Sequence, residues 1–165
     1  MYSVYWDKDI ITSYFDRPAS DFKPAVAVVG YGYGDYVAMR KGGKLCTPNN
    51  PIDISLFGTS FPTLEQMESA SPCRMVSENT PPMFLWCTSQ DELVPSEQTL
   101  IMGLALARQG IDYEIHVFEK GKHGYSLADQ STASHAYQIS ESVAKWTDLV
   151  KPWLYDHIPV NDLED

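Results

Sequence analysis

The apolar positions of this chain fall into three short blocks and two longer one-sided stripes. Ala25-Val26-Ala27-Val28-Val29 is apolar without alternation and is introduced by Pro24. Met83-Phe84-Leu85-Trp86-Cys87 lies between Pro81-Pro82 and a polar turn. Short continuous apolar runs bounded by breakers predict strands covered on both faces, as in a parallel sheet. Tyr113-Glu114-Ile115-His116-Val117-Phe118 predicts a third strand. Between the second and third blocks, Leu100, Ile101, Leu104 and Ala105 recur at helical spacing. They predict a sheet-packing helix opened by Pro95-Ser96, with Ser96 as N-cap, and closed by Gly110. A right-handed crossover makes the third strand parallel to the second. Val143, Trp146, Leu149, Val150 and Trp153 mark one face of a last helix, from Ser140 to about Leu154, whose end Pro152 would strain.

The remaining segments are less periodic. Tyr2 to Phe15 is rich in aromatics and reads as helix or coil that needs a surface to pack on. In Gly30-Tyr31-Gly32-Tyr33-Gly34-Asp35, a dinucleotide-binding fingerprint would need glycine at position 35, where Asp35 stands. No helical pattern follows closely, so the stretch reads as a flexible turn after a strand. Tyr36 to Arg74 is a long irregular excursion broken by Gly42-Gly43, Thr47-Pro48-Asn49-Asn50-Pro51 and Gly58. Short helical pieces are expected at Asp53 to Leu56 and Thr63 to Ser69. Asn161 to Asp165 is an acidic tail expected to fray. The whole reads as one α/β domain of 165 residues, with about three parallel strands and helices on both faces.

Composition narrows the function. A hydrophobic content of 44% indicates a packed globule. The net charge of −10 makes nucleic acid an unsuitable partner, because phosphate binding requires clustered cations. No apolar run reaches membrane-spanning length, so no membrane partner is expected. Cys46, Cys73 and Cys87 form no CxxC and cannot all pair. With no leader visible in MYSVYWDKD, this predicts a reducing, cytoplasmic setting. Cys87, ending a strand, reads as a small core residue.

Chemistry concentrates at two strand ends. Asp91 follows the second strand, and His123, between Lys122 and Gly124, follows the third. That edge of an open α/β sheet is where sites are built. Taken alone, Asp91 reads as a turn cap and His123 as a loop histidine; Glu92 is an alternative acid, but the spacing to Val94-Pro95 favours Asp91. His116 reads as structural, beside Glu114 and Phe118 on one face of a strand. His135 and His157 lack neighbouring motifs. No HxxxH spacing is present, so no metal is expected.

Three motifs in order add to this: Thr80-Pro81-Pro82 with Phe84-Leu85-Trp86, Asp91-x-x-Val94-Pro95, and Gly121-x-His123-Gly124. With them, the stretch from about Pro24 to Leu154 resembles the C-terminal part of serine esterases of the α/β-hydrolase fold, in the acetyl-xylan-esterase-like and lipase/esterase branch. The resemblance implies Asp91 as the acid and His123 as the base of a triad ordered Ser…Asp…His. It implies carboxylic-ester hydrolysis of small esters or acetylated carbohydrates, without cofactor, and a lid-like rim at 36–74. The 165 residues contain no G-x-S-x-G elbow and no HGGG-type oxyanion element. Gly58-Thr59-Ser60-Phe61-Pro62 lacks the second glycine, and Ser126 lies three residues past His123 with no elbow. The chain is therefore expected to match the C-terminal half of an esterase, beginning just past the nucleophile, and to be inactive alone. The alternative is a non-catalytic assembly module with Asp91 and His123 as relics. In the resembled fold the nucleophile strand pairs with the strand matching Ala25 to Val29. Left open, that edge is expected to drive self-association or to be covered by a partner.

Overall fold

The computed structural model describes residues 2–42 and 50–158. Cys46, the Gly43 and Thr47-Pro48-Asn49 breakers and the Asn161 to Asp165 tail lie outside the described residues. The elements run α1 (Tyr2–Tyr5), α2 (Asp9–Thr12), β1 (Ala27–Gly30), α3 (Tyr36–Gly42), α4 (Pro51–Phe57), α5 (Leu64–Ser69), β2 (Met83–Thr88), α6 (Glu97–Gln109), β3 (Tyr113–Phe118), α7 (Glu141–Ala144) and α8 (Trp146–His157). Short 3₁₀ turns lie between several of them. The strands form one parallel sheet in the order β1-β2-β3.

β2 is the spine, with all six of its residues buried. Pleating sends successive side chains to opposite faces. Met83 and Leu85 join Val4, Tyr5, Met102 and Leu106 on the face covered by α1 and α6. Phe84 and Trp86 join Tyr125, Val143, Val150 and Trp153 on the face covered by α7 and α8. Burial on both sides is why this strand shows no alternation. A third cluster, Tyr36, Met39 and Ala70 with Ile52 and Phe57 against it, holds the excursion together. The N-terminal aromatics find their surface there and nearby: Tyr5 donates to the Ser69 carbonyl, Trp6 Nε1 to Asn79 O at 3.2 Å, and Tyr2 to Phe22 O at 2.6 Å.

Several expectations need correction. The first strand runs from Ala27, not Ala25, because its first ladder bond is Ala27 N–H to Pro82 O, at 2.9 Å. A helix does follow the glycine-rich turn. Asp35 opens α3 by accepting from Ala38 N–H at 3.1 Å, an N-cap hidden among glycines and tyrosines. The sheet-facing stripe of α6 is Thr99, Met102, Gly103 and Leu106; Leu100 and Leu104 are half-exposed. Gly103 allows this, since a Cβ there would sit 2.1 Å from Ile115 Cδ1. Ser96 stands at the N-cap of α6, but its hydroxyl makes no capping bond. The last helix is two: α7 stops at Ala144, and α8 continues past Pro152 to His157. Pro152 is exposed, so the Asp148 carbonyl it leaves without a helical donor can bond water instead.

Candidate active site

The loops after β2 and β3 are tied edge to edge. Ser89 N–H donates to Phe118 O at 2.8 Å, Ser89 Oγ to Glu119 O at 2.6 Å, and Thr88 Oγ1 to Gly121 O at 2.8 Å. Gly121 and Gly124, at φ 144° and 86°, turn the chain on either side of His123. These ties set the third-strand loop over the second.

The Asp91 side chain is wholly buried and uses both oxygens. Oδ1 accepts from Leu93 N–H and Val94 N–H, each at 2.9 Å. Oδ2 is 2.7 Å from His123 Nδ1. The Asp-x-x-Val spacing thus has a local cause: Val94 supplies the second backbone donor that fixes the carboxylate. An ionised carboxylate can only accept, so Nδ1 carries the proton and Nε2 is left as the proton-accepting nitrogen. The imidazole is about one-third exposed (29%), enough to meet a reactant. A groove of about 440 Å³, lined by Ser89, Gln90, Asp91, Glu92 and Lys122, opens beside Asp91.

The other titratable residues are placed elsewhere. His116 Nε2 pairs with Glu114 at 2.6 Å and its ring packs 5.2 Å from Phe84. His135 stacks on Tyr137, and His157 bonds the Trp153 carbonyl. The Ser126 carbonyl accepts from Trp146 Nε1 at 2.9 Å. Burial pushes the Cys87 thiol up and the Cys73 thiol up to about 11, the latter aided by Asp35, so neither is an activated thiolate. Among the described residues no three His, Cys, Asp or Glu side chains converge as metal ligands. No described helix is long and apolar enough to cross a membrane.

Two contributors escape a reading of the sequence. Gln98, buried on α6, accepts from Gly34 N–H at 3.2 Å and Asp35 N–H at 2.9 Å, fastening the loop after β1. Tyr31, in that loop, sets its ring 4.9 Å from the His123 ring at a steep angle (71°). A lone polar residue on an apolar helix face and a tyrosine between two glycines were the only signals.

A parallel sheet sandwiched by helices, with an acid after one strand and an imidazole after the next, defines a part of an α/β-hydrolase fold. The chain belongs to the prolyl oligopeptidase family, whose model matches residues 20–151. It is 28% identical in sequence to the acetyl ester-xyloside bifunctional hydrolase of Caldicellulosiruptor lactoaceticus, with a TM-score of 0.68 over 93% of this chain and 51% of that one. The carboxylesterase Cest-2923 of Lactobacillus plantarum, 21% identical, shares the fold with a TM-score of 0.70 over 94% of this chain and 52% of its own. Over 68 residues the chain is 37% identical to endo-1,4-beta-xylanase B of Butyrivibrio fibrisolvens, a match covering 41% of this chain and 11% of that protein. The chain thus spans about half the length of the solved structures and a smaller share of that xylanase.

Proposed function

We propose that this chain carries the acid and base of a serine carboxylic-ester hydrolase acting on small esters or acetylated carbohydrates. The observation that carries the reading is the 2.7 Å contact from buried Asp91 to His123 Nδ1, at the carboxyl edge of the sheet. His123 Nε2 takes the proton of a serine Oγ as that oxygen attacks the ester carbon. It then delivers the proton to the departing alcohol. Water, activated the same way, cleaves the acyl-serine bond and returns the serine proton. Asp91 holds the tautomer and stabilises the imidazolium. The serine comes from outside these 165 residues, so the chain alone does not hydrolyse esters.

A fusion placing the nucleophile-bearing N-terminal half of a family esterase ahead of Tyr2 tests this. The fusion is expected to turn over p-nitrophenyl acetate and to lose that activity in His123→Ala. The isolated chain is expected to show no fluorophosphonate label. A folded fusion whose turnover survives His123→Ala would sink the reading, as would stoichiometric labelling of Ser60 or Ser126.

The same reading gives the outer edge of β1 a partner. Ladder alternation turns the N–H and C=O of Val28 and Gly30 away from β2, and Val28 is 41% exposed. In the isolated chain a second copy pairs there. Sedimentation at micromolar concentration should show a dimer that Val28→Lys returns to monomer. A wild-type monomer contradicts the edge argument.

A further inference from the structure

Among the described residues, three other than glycine hold a positive φ: Tyr31 at 44°, Ser126 at 51° and Ala128 at 60°. Two follow His123 in its own loop, and the third, Tyr31, touches the imidazole from the loop after β1, at the same carboxyl edge of the sheet. Strain of this kind persists where the surroundings enforce it and gathers at functional sites. Tyr31 is the instructive case because glycines flank it. Gly30 cannot carry a side chain, since a Cβ would lie 2.8 Å from the Trp86 ring. Nor can Gly32, whose Cβ would meet Val29 Cγ1 at 2.7 Å. Both glycines are thus explained by space. The one position in this turn that needs left-handed backbone carries a tyrosine instead of a third glycine.

The ring accounts for that choice. Tyr31 N–H donates to Trp86 O at 2.6 Å, fixing the backbone. Its ring stands edge-on to Trp86 at 5.0 Å and 90°. Trp86 in turn stacks on Trp146 at 5.1 Å, and Trp146 Nε1 bonds the Ser126 carbonyl in the His123 loop. The aromatic train therefore runs from the His123 loop, across the sheet, and back to the imidazole through Tyr31. Asp91 holds one nitrogen of His123 and cannot by itself stop rotation about that bond. Tyr31 supplies the second contact.

We propose that Tyr31 is a positioning residue for His123, an aryl buttress that sets the ring plane so that Nε2 faces the reactant. Its benefit to the site outweighs the backbone strain a glycine would relieve. The role is tested on the isolated chain by the NMR signal of the His123 Nδ1 proton, which is strongly deshielded and slow to exchange only while the bond to Asp91 is held. Tyr31→Gly and Tyr31→Ala are expected to lose or broaden that signal while the amide spectrum stays dispersed. Tyr31→Gly is also expected to melt no lower than wild type, and Tyr31→Phe to keep the signal. An unchanged Nδ1 signal in Tyr31→Gly and Tyr31→Ala overturns the inference. So does unfolding of both, because the ring would then be serving the fold rather than the imidazole. The inference rests on the hydrolase reading for its purpose. In the fused enzyme Tyr31→Gly should lower kcat about tenfold to a hundredfold with little change in KM. If the fusion hydrolyses nothing while the Nδ1 signal responds as stated, the hydrolase reading fails and the positioning inference stands.

Discussion

Asp91 and Asp53 have carboxylate side chains with no exposed surface, and they are satisfied in opposite ways. Asp53, in the excursion, takes the Tyr36 hydroxyl at 2.6 Å on Oδ1 and lies 3.2 Å from Arg40 Nη2 on Oδ2. The second approach neutralises charge as an ion pair and is not a hydrogen bond. Asp91 takes two backbone N–H groups and one imidazole. Arginine never gives up its proton in the working range, so the Asp53 cluster has a single state and can only hold structure. An imidazole held at Nδ1 still has a second nitrogen that can accept and release a proton, so the Asp91 pair has the means for proton transfer. Equal burial therefore does not mean equal role. The identity of the partner, and whether its far side reaches solvent, separates an anchor from a site.

The largest expected effect falls on turnover. In the fused esterase, Asp91→Asn should lower kcat about ten-thousand-fold, as loss of a triad acid does. Asparagine can still accept from Leu93 and Val94, so stability should fall by only about 1 kcal/mol. A large stability loss with kcat preserved would collapse the distinction between the two carboxylates. Asp53→Ala is the converse. It removes the ion pair to Arg40 and the acceptor of the buried Tyr36 hydroxyl, and should cost about 3–5 kcal/mol in urea unfolding while leaving turnover of the folded fusion unchanged. A cost below about 1 kcal/mol would show the cluster to be hydrated rather than sealed.

A smaller effect sharpens the reading of α6, whose buried face packs on the sheet. Leu106→Ala empties a fully buried position and should cost about 2–5 kcal/mol. Leu104→Ala, half-exposed, should stay within about 0.5 kcal/mol. Equal losses would mean that the helix is rotated from the face described.

The smallest effect is alkaline and bears on the excursion. Burial, with Tyr33 and Cys73 nearby, pushes the Tyr5 phenol from 10.0 up to about 12. Tyr36 is raised too, by burial and by its bond to Asp53. A group raised in the folded state keeps its full contribution below its unfolded value. For Tyr5 that contribution is lost as pH climbs from 10.0 to about 12. Tyr5→Phe loses the bond to Ser69 O and should cost about 1 kcal/mol at neutral pH. Its deficit against wild type should shrink across that alkaline window. A deficit constant with pH would show that Tyr5 ionises equally in both states.

The chain by itself determined the elements whose cause is local. The bounds of β3 and the extent of β2 to within one residue follow from apolar runs between breakers, and the close of α6 follows from Gly110. Asp91 and His123 stood out because each comes shortly after a predicted strand within a motif of the esterase resemblance, and sheet topology carries such ends to one edge. Tertiary structure decided what local pattern leaves open. Leu100 and Leu104 fit a helical stripe as well as Met102 and Leu106 do. Only contact with Ile115 through the bare Gly103 chose which stripe turns inward. The Asp35 cap of α3 depends on Ser71 and Gln98, 36 and 63 residues away, to hold the turn in place. The ring of Tyr31 reaches His123 across two strand ends, a proximity that no spacing along the chain encodes. Pairwise contacts over such separations arise from packing against a shared core, so they become visible only when the sheet is assembled.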